Sequence, residues 1–212
     1  MSILNSTKMP LNLSYKLAQT LALLIAIVLF ILSYIFGRDV VFLWFNTNLG
    51  ASADIFFSYF THLADGWLLI PYLIIIVGVY KKDLLFIVIN FISSTLLTQI
   101  PKQLIWSNIN RPIASGIDLS KIHIVKGVDV HSFNSFPSGH TATAFTLFLI
   151  TVYLFPNKKV LLSFGLYAIL CGYSRIYLGQ HFPLDIAGGI IAALLSVALS
   201  IQIRKKLFKK PF

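Results

Sequence analysis

The chain has 212 residues, of which 57% are hydrophobic and 11% charged, and its mean hydropathy is +0.83. Soluble domains carry about a quarter charged residues, so this composition excludes an ordinary soluble enzyme and predicts an integral membrane protein. Seventeen Lys and Arg oppose seven acids, all of them Asp, for a formal net charge of +10; in so apolar a chain that excess concerns membrane orientation and anionic lipid or substrate, with no nucleic acid partner expected.

The first apolar run, Leu17 to Phe36, is about 20 residues long, enough to cross a bilayer. No small-residue cleavage site follows it clearly, which predicts a retained helix rather than a signal peptide. A short interfacial helix is expected near Ala53 to Leu63. A second span then runs from Asp65 to Tyr80, its apolar core short and interrupted by Gly66 and Pro71. Further spans are expected at Leu84–Pro101, Ser138–Phe155, Val160–Leu178 and Pro183–Ile203. The predicted fold is thus all-α: a polytopic six-transmembrane helix bundle forming one domain over residues 1–212. Cys171, alone in an apolar segment, reads as a small buried hydrophobe.

Six spans place eleven cations on one side: Lys8, Lys16, Lys81, Lys82, Lys158, Lys159 and the five in the tail "RKKLFKK". Six lie on the other: Arg38, Lys102, Arg111, Lys121, Lys126 and Arg175. The positive-inside rule then makes both termini cytoplasmic. The long loop, about Lys102 to Pro137, and the turn Gly179 to Phe182 face outward, and the polar oddities of the chain gather there.

Three stretches on that face carry chemistry: "KQLIWSNINRP" from Lys102, "FPSGHTATAF" from Phe136, and "YSRIYLGQHFPLD" from Tyr173. Pro137 suits the first turn of a helix. The amides of Ser138, Gly139 and His140 would then face outward at a helix N-terminus, an anion-binding arrangement, and Gly139 lets an anion approach the backbone. Arg111 and Arg175 can fork onto phosphate oxygens, with Lys102 as a point charge. Asp185, four residues after His181, can hold one ring nitrogen and leave the other as a nucleophile. His140 can then protonate a leaving oxygen. The pattern reads as phosphoryl transfer through a phosphohistidine, with no metal and no cofactor.

These residues resemble the type 2 phosphatidic acid phosphatase superfamily, which includes membrane lipid phosphatases and soluble vanadium haloperoxidases. Its pattern is Lys, six residues, Arg-Pro; then Pro-Ser-Gly-His; then Ser-Arg, five residues, His, three residues, Asp. "PSGH" at Pro137 to His140 matches the second part. Ser174-Arg175, "IYLGQ", His181, "FPL" and Asp185 match the third. The resemblance covers roughly Leu84 to Ile203. It implies His181 as nucleophile, Asp185 as its orienter and His140 as general acid. It also implies Lys102, Arg111, Ser138, Gly139 and Arg175 as phosphate ligands. The first part departs: eight residues, "QLIWSNIN", separate Lys102 from Arg111. Either the loop bulges or the role of Lys102 differs.

The resemblance implies hydrolysis of a lipid phosphate; the charge count puts the site at the outer leaflet, and small size with compact loops points to a bacterial cytoplasmic membrane. Undecaprenyl pyrophosphate, phosphatidic acid, phosphatidylglycerol phosphate and lipid A are the candidate substrates. The alternatives are a phosphotransferase with the same intermediate and a non-catalytic phospholipid-binding protein. Several polar residues read as structural. His62 with Asp65 forms an interfacial polar pair, and His131 is an ordinary loop histidine. Trp44, Trp67 and Trp106 are interface anchors. Ser93, Ser94, Thr95, Thr98 and Gln99 mediate helix packing, and Gly188 and Gly189 are close-packing positions.

Overall fold

The computed structural model describes residues 11–79 and 84–207. Its regular elements are all helical: α1 (Leu11–Phe36), α2 (Arg38–Phe45), α3 (Ala51–Phe60), α4 (Leu69–Val79), α5 (Leu84–Ile100), α6 (Gly139–Leu154), α7 (Lys158–Tyr177) and α8 (Pro183–Leu207). Among the described residues, four stretches are long and apolar enough to cross a membrane: Leu13–Phe36, Leu84–Ile105, Lys158–Tyr177 and Pro183–Lys206. Gly139–Leu154 is a shorter apolar helix.

Small residues set the packing. Ala18, Ala22 and Ala26 recur every four residues on α1 and are all buried, giving a flat stripe on the side of the helix that packs against α8. Helix α8 lies at the centre, against α1, α5 and α6, and it contributes Gly188, Gly189, Ala193 and Ser196 to these contacts. A Cβ at 189 would stand 2.5 Å from the Ser138 carbonyl oxygen, and one at 188 would stand 2.5 Å from the Phe136 ring. Hydroxyls bond within and between helices: Ser94 meets Thr146 at 3.2 Å, and Thr98 donates to the Ser94 carbonyl at 2.9 Å. At the end of the bundle remote from the site, Arg204 donates to the Tyr153 hydroxyl at 3.1 Å and lies over Phe86.

The structure differs from the expected elements in two places. Helix α1 starts six residues earlier in the described chain than expected and stops at Gly37, whose φ of +84° turns the backbone. That turn launches α2, which periodicity did not reveal and which buries Val41 and Phe42. Where a continuous helix is expected from Asp65, the described chain has a 3-10 turn, Gly66–Leu68, leading into α4; another 3-10 turn, Thr61–Ala64, precedes Asp65. Asp65 between the turns is extended, at φ −65° and ψ 141°, and this interrupts the helical path. Tyr80 and the expected cytoplasmic cations Lys8, Lys81, Lys82, Lys209 and Lys210 lie outside the described residues.

The loop between α5 and α6 folds back on itself. Arg111 N–H donates to the Ser132 carbonyl at 2.9 Å, and Ser135 N–H donates to that of Ile109 at 3.1 Å. Asn46 ties this loop to the end of α7. Its amide donates to the carbonyls of Ile176, Tyr177 and His123, and its carbonyl accepts from His123 N–H at 2.7 Å. These bonds satisfy backbone groups that no regular element supplies with partners.

Candidate active site

The turn from α7 into α8 builds the first half of the site. Pro183 occupies the first position of α8, where a missing N–H costs nothing. Asp185 reaches back so that Oδ2 accepts from Phe182 N–H at 2.9 Å, a capping arrangement. The same oxygen accepts from the Ser135 hydroxyl and lies 3.3 Å from His181 Nδ1. Both His181 and Asp185 are almost fully buried. A carboxylate only accepts, so Nδ1 holds the proton and Nε2 carries the lone pair. Burial first, and then the charges of Arg111, Lys102 and Arg175, hold the imidazole of His181 well below its usual range. The histidine is therefore neutral at neutral pH, the form that can attack.

The second half is the start of α6. Ser138 is the N-cap, and its hydroxyl accepts from Thr141 N–H and Oγ1–H. Two sequence expectations are corrected here. Pro137 precedes the cap instead of occupying the first turn, because Ser138 takes the capping role. The Ser138 amide donates to the Asp185 carbonyl at 3.0 Å, so it binds helix to helix rather than facing outward. The first-turn amides of Gly139 and His140 remain at the positive end of α6, where no intrahelical acceptor exists.

Three cations surround the two histidines. Arg111 is held from several directions: Nε donates to the Phe133 carbonyl at 2.9 Å, and Nη1 donates to the Gln180 side chain at 2.9 Å. Arg175, on the last turn of α7, is buried, and its Nη1 donates to Thr61 Oγ1 at 2.6 Å. Its buried Nε has no partner among the described residues. A buried guanidinium N–H without a partner is costly and marks where an anion would bind. Lys102 sits in a π-helical turn, Pro101–Ile105, closed by Trp106 N–H donating to the Pro101 carbonyl at 2.8 Å. A π turn takes up an extra residue compared with an α turn. This turn overlaps the start of the long "QLIWSNIN" interval, and Lys102 still acts electrostatically on Arg111, Asp185 and Arg175. The structure thus brings every expected site residue to one end of the bundle.

Some of the residues that organise the site were not expected from the sequence. Gln180 clamps Arg111 and donates to the Asp129 carbonyl at 2.7 Å. Ser135 anchors Asp185, and Thr61 holds Arg175. The reading of His62 and Asp65 as only an interfacial pair is corrected. They do pair at 2.9 Å, but the other oxygen of Asp65 lies 2.7 Å from His140 Nε2. No local spacing signals these contacts, since each joins segments far apart in the chain. His131 is exposed.

Two cavities meet this region. A groove of 760 Å³ runs between α1, α5 and α8, lined almost entirely by apolar side chains such as Phe30, Leu97 and Leu195. It reaches Arg38 and Asp185 at its polar end. A smaller cavity of 270 Å³ lies beside Gly139 and His140, lined by Ser94, Thr95, Thr98 and Gln99 of α5. The packing hydroxyls of α5 therefore also face a cavity at the site.

Comparison with known proteins agrees with this arrangement. Residues 84–209 match the model of the PAP2 superfamily. Phosphatidylglycerophosphatase B of Bacillus subtilis is 33% identical over 64% of this chain and 67% of its own length. The undecaprenyl-diphosphatase BcrC of the same organism is 36% identical over 29% of this chain, a match spanning 31% of BcrC. The crystal structure of LpxE from Aquifex aeolicus superposes with a TM-score of 0.65 at 31% identity, covering 76% of this chain and 92% of that one. A crystal structure of a PAP2-type phosphatidylglycerolphosphate phosphatase from Bacillus subtilis gives 0.64 at 25% identity, over 92% and 98%. The chain belongs to the PAP2 superfamily.

Proposed function

We propose that this protein is a membrane lipid phosphatase that cleaves a phosphomonoester or pyrophosphate of a lipid through a phosphohistidine. The observation that carries the reading is the buried His181–Asp185 pair facing three cations and the start of α6, with an apolar groove ending at Asp185. A lipid tail of 760 Å³ scale fits that groove, and its phosphate would then lie among Lys102, Arg111 and Arg175. The names of relatives support the substrate class: phosphatidylglycerophosphatase, undecaprenyl-diphosphatase and lipid A 4'-phosphatase.

In this mechanism His181 Nε2 attacks phosphorus as the bond to the leaving oxygen breaks. Arg111, Arg175, Lys102, the Ser138 hydroxyl and the amide of Gly139 neutralise the equatorial oxygens, where charge is held in the transition state. His140 gives its proton to the leaving oxygen. It then takes a proton from water, which attacks phosphorus and releases phosphate and free His181. Asp185 keeps Nδ1 protonated throughout. No metal is assigned a role.

The proposed setting is a single domain with six spans, both termini cytoplasmic, and the site facing outward from a bacterial cytoplasmic membrane. The charge asymmetry between the two ends supports this orientation. Here α4, with the turns before it, and the 16-residue α6 complete the crossings that the four long helices begin.

Phosphate release by the purified protein in detergent tests the reading. The panel is undecaprenyl pyrophosphate, phosphatidic acid, phosphatidylglycerol phosphate and lipid A. Release from at least one, abolished in His181→Ala, is expected. No release from any of them, or equal release by the variant, would refute it.

A further inference from the structure

The mechanism above gives His181 a carboxylate partner and leaves the acid, His140, without one. The structure supplies it from an unrelated part of the chain. Asp65 lies between two 3-10 turns, and its Oδ1 is 2.7 Å from His140 Nε2, the length of a charge-assisted bond. Its Oδ2 is held by His62 Nδ1 at 2.9 Å and by Trp67 Nε1 at 3.3 Å. The carboxylate is thus fixed from both sides, with one oxygen given to His140.

We propose that Asp65 is the positioning residue for the general acid, so that the site holds two carboxylate–imidazole pairs, Asp185–His181 and Asp65–His140. The inference rests on the phosphatase reading and deepens it. A carboxylate on Nε2 fixes the ring and leaves Nδ1 as the nitrogen that exchanges its proton with the leaving oxygen. It also stabilises the imidazolium in the company of other cations. Lys102 from the π turn and Arg175 from α7 both act on His140. Each disfavours a positive charge on the ring, and Asp65 is the opposing charge.

The same turn grips the site twice. Thr61, four residues before Asp65, accepts from Arg175. The Asp65 backbone N–H donates to the His62 carbonyl at 3.1 Å, so the carboxylate is not needed to hold the turn.

A structural role and a proton-positioning role separate by leaving group. Asp65→Asn keeps size and an acceptor but removes the charge. General acid catalysis contributes about 10²- to 10⁴-fold, and an alkoxide leaving group depends on it while a nitrophenolate does not. Asp65→Asn is therefore expected to lower the single-turnover rate of leaving-group release, which precedes the water step, by about 100-fold with phosphatidic acid and by less than about 5-fold with p-nitrophenyl phosphate. Equal losses on both substrates, or no loss on either, would overturn the proposal. If p-nitrophenyl phosphate is not accepted, the pH profile of kcat/KM on the lipid decides. Loss of the carboxylate weakens the imidazolium, so the alkaline limb should move to lower pH, and an unmoved limb overturns the proposal. Wild-type protein that releases no phosphate, or a His181→Ala variant that matches it, would instead overturn the phosphatase reading, and the role of Asp65 with it.

Discussion

Gly189 is where the two halves of the site touch, and substituting it with Ala should separate them. Its added Cβ would stand 2.5 Å from the Ser138 carbonyl oxygen, 2.9 Å from Thr141 Cβ and 3.2 Å from the Ala142 nitrogen. Two of the three are backbone atoms of α6 and its cap, so no side-chain rotation relieves the overlap. Restoring ordinary van der Waals separation requires α8 and the start of α6 to part by about 1 Å. That movement stretches the 3.0 Å bond from Ser138 N–H to the Asp185 carbonyl, and it shifts His140 relative to His181. Overpacking of this kind costs about 1–3 kcal/mol of stability. A misplacement of about 1 Å between catalytic groups costs about 100-fold in rate. Gly165→Ala is the control, because its Cβ meets only the Phe148 ring at 3.5 Å and Leu21 at 3.7 Å. The assay is phosphate release at saturating lipid, normalised to folded protein from size exclusion in detergent. Gly189→Ala turning over at the rate of Gly165→Ala would refute the close-packing argument.

Asp185→Asn should leave the helix start intact while removing the group that sets the tautomer of His181; turnover should fall by about 10⁴-fold, measured by phosphate release. The depressed His181 titration has a defined sign. The unfolded chain takes up this proton below about pH 6.5 while the folded chain does not, so the contribution is complete above that pH and is lost as pH falls toward the folded value. The thermal midpoint in detergent should therefore drop on acidification below about pH 6.5, and less steeply in His181→Gln; parallel profiles would contradict the burial argument. Vanadate, a five-coordinate phosphate mimic, should compete with substrate, and chelators should leave turnover unchanged if cations and imidazoles alone hold the phosphate.

What was legible in the sequence follows from how local each signal is. His181 and Asp185 are four residues apart across the start of α8, so spacing alone predicts the pair. Pro137-Ser138-Gly139 announces a helix start, although the sequence does not reveal that the Ser138 amide is used by α8. Lengths of apolar runs locate α1, α5, α7 and α8 to within a few residues at most ends. Helix α2 escapes because its apolar face is only two turns long and Gly37 hides the break. Asp65, Thr61, Ser135 and Gln180 escape because their partners are 114, 50 and 69 positions away for the last three, and at a comparable distance for Asp65. Such contacts are set by how the helices assemble, not by periodicity. The extra residues before Arg111 look like a defect in the pattern, yet Lys102, in the π turn at the start of this interval, keeps its electrostatic link to Arg111, Asp185 and Arg175.

The central claim is that phosphorus is transferred first to His181 and then to water. The stereochemical course at phosphorus tests it most directly. An isotopically chiral thiophosphate monoester of the preferred lipid, hydrolysed in ¹⁸O-water, yields chiral thiophosphate whose configuration can be read by nuclear magnetic resonance. Two in-line displacements predict net retention. Net inversion would mean that water attacks directly, and it would contradict a phosphohistidine at His181.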